Sequence, residues 1–216
     1  MADRIMSVRL KGRVPLLMNK PTLVDPTDPA SIERRKISSK RKKVLEDHEE
    51  MNRIEYGAAI YLNDTVGLYI PAAMLEKCIV EAGKLQRLGT TLKQTMMVLQ
   101  NEIPVEIPEL PATTKKGSLP TVKDFYGDPR FVDKAVARIK TDRVIRCRPI
   151  FHKWSLAADL SYDDQEIDTE TMSNILRVAG RRIGIGDYRP RYGRFTVTIR
   201  DLTRADMERM LAEEAA

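Results

Sequence analysis

The amino-acid sequence predicts an α+β protein with a ferredoxin-like (split βαβ, RRM-like) antiparallel sheet, two packing helices, a basic N-terminal arm and a protruding insertion. Two segments, residues 71–88 and 169–179, carry apolar residues at the spacing of one buried helical stripe. Segments with strand alternation flank both of them. Once insertions are removed, the order strand, helix, strand, strand, helix, strand is that of the split βαβ motif. The prediction is a single domain over residues 1–216.

The N-terminal half contains the first strand, a basic arm and the first strong helix. Residues 4–12 alternate as a strand does, residues 15–43 read as a long loop or arm inserted into the domain, and residues 44–54 predict a short helix. Residues 56–70 predict two strands joined at Asn63–Asp64. Pro71 opens the helix and Gly89 is its expected stop, and its buried stripe consists of Met74, Leu75, Cys78, Ile79, Ala82 and Leu85.

The C-terminal half begins with the second insertion, residues 95–128, which reads as a strand leading into an extended, hairpin-like excursion. Residues 129–140 predict a short helix and residues 143–163 have strand character. Asp168 is the expected N-cap of the second strong helix. Residues 194–202 predict a half-buried strand and residues 203–216 a short amphipathic helix. The second helix has a buried stripe of Met172, Ile175, Leu176 and Ala179.

Composition places the chain among globular proteins that work in the cytoplasm. Its 216 residues are 42% hydrophobic and 31% charged, and no apolar run approaches the length needed to cross a bilayer, so no membrane partner is expected. The N-terminus lacks the features of a secretory signal. Cys78 and Cys147 fit no metal motif, and no cofactor is expected.

The net charge of +6 is concentrated in three basic clusters. They lie in the arm, in the strand segment at 143–148 and in a glycine-rich segment at 181–194. Separated basic clusters are typical of a polyanion partner. With Lys153, the predicted nucleic-acid-binding residues are Arg34, Arg35, Lys36, Lys40, Arg41, Lys42, Lys43, Arg146, Arg148, Arg181, Arg182, Gly184, Gly186, Tyr188, Arg189, Arg191, Tyr192, Gly193 and Arg194.

The glycine-rich segment follows a helix and precedes a strand, which is the reverse of the order that a dinucleotide fingerprint requires. Two interpretations remain. In the first, the glycines absorb unusual backbone angles in a tight connection. In the second, exposed N–H groups and arginines follow a phosphate backbone, while Tyr188, Tyr192 and Trp154 either stack on bases or pack against the protein.

The stretch Gly184-Ile185-Gly186 through Gly193-Arg194-Phe195, after the last helix of a ferredoxin-like order, resembles the glycine-rich loop of the RAMP superfamily. These are RNA-binding proteins of CRISPR systems, among them backbone subunits of effector complexes and guide-processing endoribonucleases. The style of the sequence is also similar to that of bacteriophage-encoded proteins, for which the compartment is the host cytoplasm. The resemblance implies a homo-oligomer or a subunit of a ribonucleoprotein assembly, with insertions that reach neighbouring copies.

The expected function is binding of single-stranded RNA or DNA, with RNA preferred, and no enzymatic activity. One alternative is a phage-type protein-interaction or structural module, whose basic arm meets an acidic protein surface. A second is a metal-independent ribonuclease that uses His152 with Lys153, although adjacent strand residues point to opposite faces. Asp163, Asp164, Glu166 and Asp168 offer carboxylates for Mg²⁺, but acids at a helix start need no metal.

Overall fold

The computed structural model describes residues 3–114, 117–139 and 142–201 of the chain. They form a mixed α+β structure of two antiparallel sheets and six α-helices, and the helix expected at 203–216 lies outside them. In chain order the elements are β1 (Asp3–Gly12), β2 (Leu16–Leu17), α1 (Pro29–Ser38), α2 (Leu45–Ala59), β3 (Leu62–Asn63), β4 (Gly67–Pro71), α3 (Ala72–Lys84), α4 (Gly89–Thr95), β5 (Met96–Val98), β6 (Glu102–Glu106), α5 (Val122–Gly127), β7 (Val132–Ile139), β8 (Asp142–Phe151), β9 (Ser155–Asp163), α6 (Thr169–Val178) and β10 (Phe195–Asp201).

The larger sheet has the strand order β10-β1-β9-β6-β4-β3, and β5 also pairs with β9. Its centre is β1, which is antiparallel to β10 on one side and to β9 on the other. Val8 of β1, for example, lies between Ile199 and Ala158. Both strong helices are present, and the core forms where α3 and α6 meet the buried side of this sheet. Leu85, which was predicted in the buried stripe of the first helix, lies beyond the end of α3 and is 56% exposed.

Alternation along β1 decides which side chains enter that core. Met6, Val8 and Leu10 are buried, whereas Arg9 and Lys11 lie on the opposite, exposed face. The predicted N-cap of α6 is confirmed, because the Asp168 carboxylate accepts a hydrogen bond from the Thr171 amide at 2.8 Å. No helix in the described ranges is both long and apolar enough to cross a membrane.

The smaller sheet has the order β2-β8-β7 and corrects one prediction. Residues 129–140, expected to be a short helix, contain β7, which pairs with β8 from Val132 opposite Pro149 to Ile139 opposite Asp142. The spacing of its apolar residues suits a helix, but backbone pairing with β8 outweighs this local preference. Val136 and Ile145 face each other across the two strands and are 67% and 61% exposed.

Both predicted insertions contain more regular structure than the sequence suggested. The arm at 15–43 includes β2, a 3-10 turn at Pro21–Val24 and α1, whose first turn is capped by Asp28. The excursion at 95–128 begins inside the larger sheet, because β6 pairs with β4 and β9. Gly89 begins α4, and α3 ends earlier, at Lys84.

Candidate nucleic-acid interface

The glycine-rich segment lies between α6 and β10, as predicted, and begins with a π-helical turn at Ala179–Ile183. Gly184, Gly186 and Gly193 all have positive φ angles, of 79°, 83° and 72°. This left-handed region is costly for residues with a Cβ atom and open to glycine. We call residues 181–194 the glycine loop.

The glycines of this loop approach the backbone of the protein itself. A Cβ atom at Gly193 would overlap the carbonyl oxygen of Ile185, and one at Gly186 would lie 2.6 Å from the carbonyl oxygen of Leu17. Gly193 N donates to Pro15 O at 2.8 Å, Asp187 N to Leu17 O at 2.8 Å and Ile185 N to Gly193 O at 3.0 Å. Close packing of the chain against β2 therefore accounts for the glycines, and these amides already have acceptors.

The arginine side chains of the glycine loop divide into two groups. Arg189 is half-buried, and its Nη1 lies 3.3 Å from a carboxylate oxygen of Glu81 and 3.3 Å from Gly184 O. The other four are exposed, and no carboxylate of the described ranges lies within ion-pairing distance of them: Arg181, Arg182, Arg191 and Arg194. These four guanidinium groups are available to phosphates.

Aromatic side chains accompany the exposed arginines. Tyr188 is 64% exposed and its backbone has a positive φ of 52°. Its ring centroid is 6.0 Å from that of half-buried Tyr192. Together with Glu81, Arg182 and Arg189, Tyr188 lines an open pocket of about 440 Å³. Trp154, in contrast, is buried and its Nε1 donates to Val14 O at 3.0 Å, so it belongs to the core.

The arm and β8 bring two of the predicted arginines together around a buried carboxylate. Glu55 of α2 is 6% exposed. Its Oε1 accepts from Arg34 Nε at 3.0 Å, from Arg34 Nη2 at 2.7 Å and from Arg146 Nη1 at 3.3 Å, and its Oε2 accepts from Cys147 N at 3.3 Å. All four residues line a groove of about 430 Å³, which also contains Lys20 and Arg148. We call it the Glu55 groove.

Arg148 connects this groove to the glycine loop. Its side chain is only 16% exposed and forms ion pairs with Asp133 at 3.1 Å and with Asp187 at 2.9 Å. Asp187 in turn lines the pocket beside Tyr188. The Arg148 Nε is buried without a hydrogen-bond partner. Arg148 is therefore an internal link between the two surfaces, and two carboxylates compensate its charge.

The remaining predicted basic residues lie on the outside of the arm and near the end of β8. Arg35, Lys36, Arg41 and Lys42 are exposed. Lys40 pairs with Asp47 at 2.5 Å, and the Lys43 ammonium donates to Lys40 O at 3.1 Å. The Lys40 hydrogen bond lowers the pKa of the Asp47 carboxyl below its ordinary value. Lys153 pairs with Glu109 at 2.9 Å in an exposed contact.

His152 and Lys153 follow the last residue of β8, so the alternation of a strand does not separate them. Both line a small cavity of about 150 Å³ together with Glu109, Arg130 and Phe131. The acidic cluster at 163–168 does not converge in this way. Asp168 caps α6 and Asp163 accepts from the Gln165 amide at 3.0 Å. In the described ranges no group of three or more candidate ligands is placed to hold a metal ion.

Two residues of the Glu55 groove were missed by sequence reasoning. Glu55 directly follows the helix predicted at 44–54, and solvent exposure is the ordinary expectation for a glutamate. The available signal was its position between Ile54 and Tyr56, which are both buried. Lys20 stands alone in a turn-rich segment and has no local pattern that marks it.

Comparison with solved structures gives a distant structural likeness. No family model matches the chain, and no curated protein matches it. Among solved structures, a chain of a Type IV-B CRISPR complex is similar, with a TM-score of 0.41 and 11% sequence identity over 93% of this chain and 91% of that chain. At this identity and TM-score, nothing about that complex is transferred to the present chain.

Proposed function

We propose that this protein binds single-stranded nucleic acid, RNA in preference to DNA, as a subunit of a ribonucleoprotein assembly. The observation that carries the proposal is the glycine loop, which presents Arg181, Arg182, Arg191 and Arg194 to solvent without carboxylate partners in the described ranges. Side chains held in this way neutralise phosphates irrespective of base sequence. Exposed Tyr188, beside them, offers a ring on which a base stacks.

The glycines have a supporting role in this mechanism. They allow the loop to pack against residues 15–17, which fixes where the arginines leave the surface. The exposed face of the larger sheet is a less suitable platform for bases. Ile5, Ser7, Arg9 and Lys11 of β1 occupy it, as do alternate residues of β9 and β10, and none of them is aromatic. Base stacking of the kind used by RRM domains needs aromatic side chains on that face.

The order of the strands supports a ferredoxin-like, RAMP-type assignment. In the series β10-β1-β9-β5, two strand–helix–strand units interleave through α3 and α6. From the resemblance to RAMP proteins we infer an assembly in which repeated copies of the protein bind along one nucleic-acid strand. The exposed Val136–Ile145 pair on β7 and β8 offers an apolar contact for a neighbouring copy. A particle that remains monomeric on a long oligonucleotide, by size-exclusion chromatography with mass detection, would contradict this assembly.

Fluorescence anisotropy tests the binding itself. A labelled RNA of about 30 nucleotides, the matching single-stranded DNA and a duplex are titrated between about 50 and 200 mM salt. Replacing Arg191 and Arg194 by glutamine removes two phosphate contacts. We therefore expect the slope of log affinity against log salt to become shallower by about 1.4 for a single strand.

The matched control replaces Lys77 and Lys93 by glutamine, since both lysines are exposed on α3 and α4 and line a pocket outside the glycine loop. It changes the net charge equally and should leave the slope within error. An equal effect of the two double variants would indicate diffuse attraction instead of a loop site. Failure of all three nucleic acids to bind at moderate salt would favour the protein-interaction alternative.

A second candidate function has its own observation. His152 and Lys153 share a cavity with Glu109 and Arg130, which places an imidazole close to cationic groups as metal-free RNA cleavage requires. The test is incubation of labelled RNA with excess chelator, followed by analysis on a denaturing gel. Site-specific cleavage that disappears in His152→Ala would support the ribonuclease, and intact RNA after prolonged incubation would exclude it.

A further inference from the structure

The arrangement around Glu55 has the features of a built anion site. Arg34 uses Nε and Nη2 on the carboxylate, and Arg146 uses Nη1. The remaining guanidinium nitrogens, Nη1 of Arg34 and both Nε and Nη2 of Arg146, have no acceptor elsewhere in the ranges that the structure covers. One buried carboxylate thus holds two guanidinium groups in a fixed position and leaves three nitrogens available to a ligand.

The charge balance of the Glu55 groove favours an anion. Its lining contains four basic side chains, Lys20, Arg34, Arg146 and Arg148, against the single carboxylate of Glu55. When Asp133 and Asp187, which pair with Arg148, are included, four cations face three carboxylates and one positive charge remains in excess. The excess positive charge, in a partly desolvated groove, favours a ligand with negative charge.

The groove also has the dimensions and the mixed surface of a phosphate-ester site. Its volume of about 430 Å³ exceeds what a simple ion fills. Beside the basic groups lie Pro21, Leu23 and Val24, which form an apolar wall, and Asn19 adds an amide. A phosphate group bound to the arginines would therefore place its organic substituent against the apolar wall.

We infer that the Glu55 groove is a phosphate-binding site separate from the glycine loop, and that Glu55 is the positioning residue that orients Arg34 and Arg146 toward the phosphate. The ligand is a phosphate ester, either a phosphodiester within a bound strand or a terminal phosphate. The inference rests on the proposed function only where a bound nucleic-acid strand supplies the phosphate. Lys20 is the third cationic contact.

The substitution Glu55→Gln tests the inference, because diffuse electrostatics and a positioning role for Glu55 predict opposite changes in the affinity for an anion. It removes one negative charge and so raises the net charge by one, and diffuse electrostatics alone would then strengthen the binding of an anion. If Glu55 positions the arginines, its loss weakens pyrophosphate binding by about tenfold, because charged hydrogen bonds lose their alignment. The matched control is Glu50→Gln on the same helix, which changes the net charge equally at an exposed pair with Arg53.

Binding of pyrophosphate is measured by titration calorimetry, and the melting temperature of each variant is measured in parallel. Lys20→Gln and Arg34→Gln keep the test valid if Glu55→Gln fails to fold. Both should weaken pyrophosphate binding several-fold, since each removes one cationic contact. Unchanged pyrophosphate affinity in both Lys20→Gln and Arg34→Gln would overturn the inference. An affinity that rises in Glu55→Gln as it does in Glu50→Gln would also overturn it.

Oligonucleotides separate the two sources of phosphate and also separate this inference from the proposed function. RNA with a 5′-hydroxyl and RNA with a 5′-phosphate are compared in wild type and in Lys20→Gln. If Lys20→Gln lowers the affinity for both RNAs equally, the groove binds phosphodiesters. If it lowers the affinity only for the RNA with a 5′-phosphate, the groove binds the terminal phosphate. Pyrophosphate binding without RNA binding would refute the proposed function alone. RNA binding that depends on the glycine loop but not on Lys20 would refute the groove alone.

Discussion

Replacement of Gly193 by alanine should destabilise the protein strongly, because two separate penalties coincide at this position. The φ angle of 72° lies in the left-handed region, where a Cβ atom costs roughly 1–2 kcal/mol. The same Cβ would also overlap the carbonyl oxygen of Ile185. Relief of an overlap of this kind typically costs about 1–3 kcal/mol in backbone and side-chain shifts.

The local hydrogen bonds add to this penalty. Gly193 N donates to Pro15 O at 2.8 Å, and Gly193 O accepts from Ile185 N at 3.0 Å. A shift that relieves the overlap lengthens both bonds, and each contributes on the order of 1 kcal/mol. We therefore expect Gly193→Ala to lower the free energy of unfolding by about 4 kcal/mol. A chain of this size should then melt about 8–16 °C lower.

Gly117 provides the matched control, since its φ of 82° carries the same conformational penalty while a Cβ there meets nothing within 4 Å. Gly117→Ala should cost only about 1–2 kcal/mol. Thermal unfolding followed by circular dichroism compares the two variants with wild type. Melting temperatures that agree within about 2 °C would show that the loop yields without cost, and the packing described for residues 15–17 would be incorrect.

Two further predictions concern buried polar groups. Arg148→Ala should lower the free energy of unfolding, measured in urea, by about 2–3 kcal/mol because it leaves Asp133 and Asp187 without their cation. The control Lys153→Ala removes an exposed ion pair and should cost less than about 1 kcal/mol. Equal effects of the two substitutions would contradict the internal role of Arg148. Burial raises the pKa of the Cys78 thiol to about 12 and that of the Cys147 thiol to about 11. Both thiols should therefore resist a thiol reagent at pH 8 until urea unfolds the chain, and rapid labelling of the native protein would refute their burial. Because these folded-state values lie above the ordinary 9.0, the stability that they contribute is complete below pH 9 and is lost as the pH rises toward 11 and 12.

The parts of the fold that the sequence predicted are those in which local pattern and burial agree. The stripe containing Leu75, Cys78 and Ile79 and the cap at Asp168 depend on residues close in sequence, and both are present in the structure. The segment containing β7 shows the limit of such reasoning. Val132, Val136 and Ile139 fit a helical spacing, yet the partner that makes them a strand is β8. Pairing between strands is not visible in the periodicity of either one alone.

The same limit applies to the candidate interface. The sequence located the basic clusters but could not show which charges are compensated. Glu55 is 21 residues from Arg34 and 91 residues from Arg146, and only the fold brings them into contact. The glycine loop was placed correctly between a helix and a strand. That its glycines accommodate Leu17 depends on a tertiary contact with the opposite end of the chain.

The contact between β2 and the glycine loop also constrains how this sequence can evolve. Any side chain at position 186 meets the Leu17 carbonyl oxygen and the Leu16 side chain, and the Asp187 amide depends on that same carbonyl. Arg148 joins the set through its bond to Asp187. Positions 16–17, 148 and 186–187 thus constrain one another in evolution, although they are spread over most of the chain. In related sequences, changes at one of these positions should be accompanied by changes at the others.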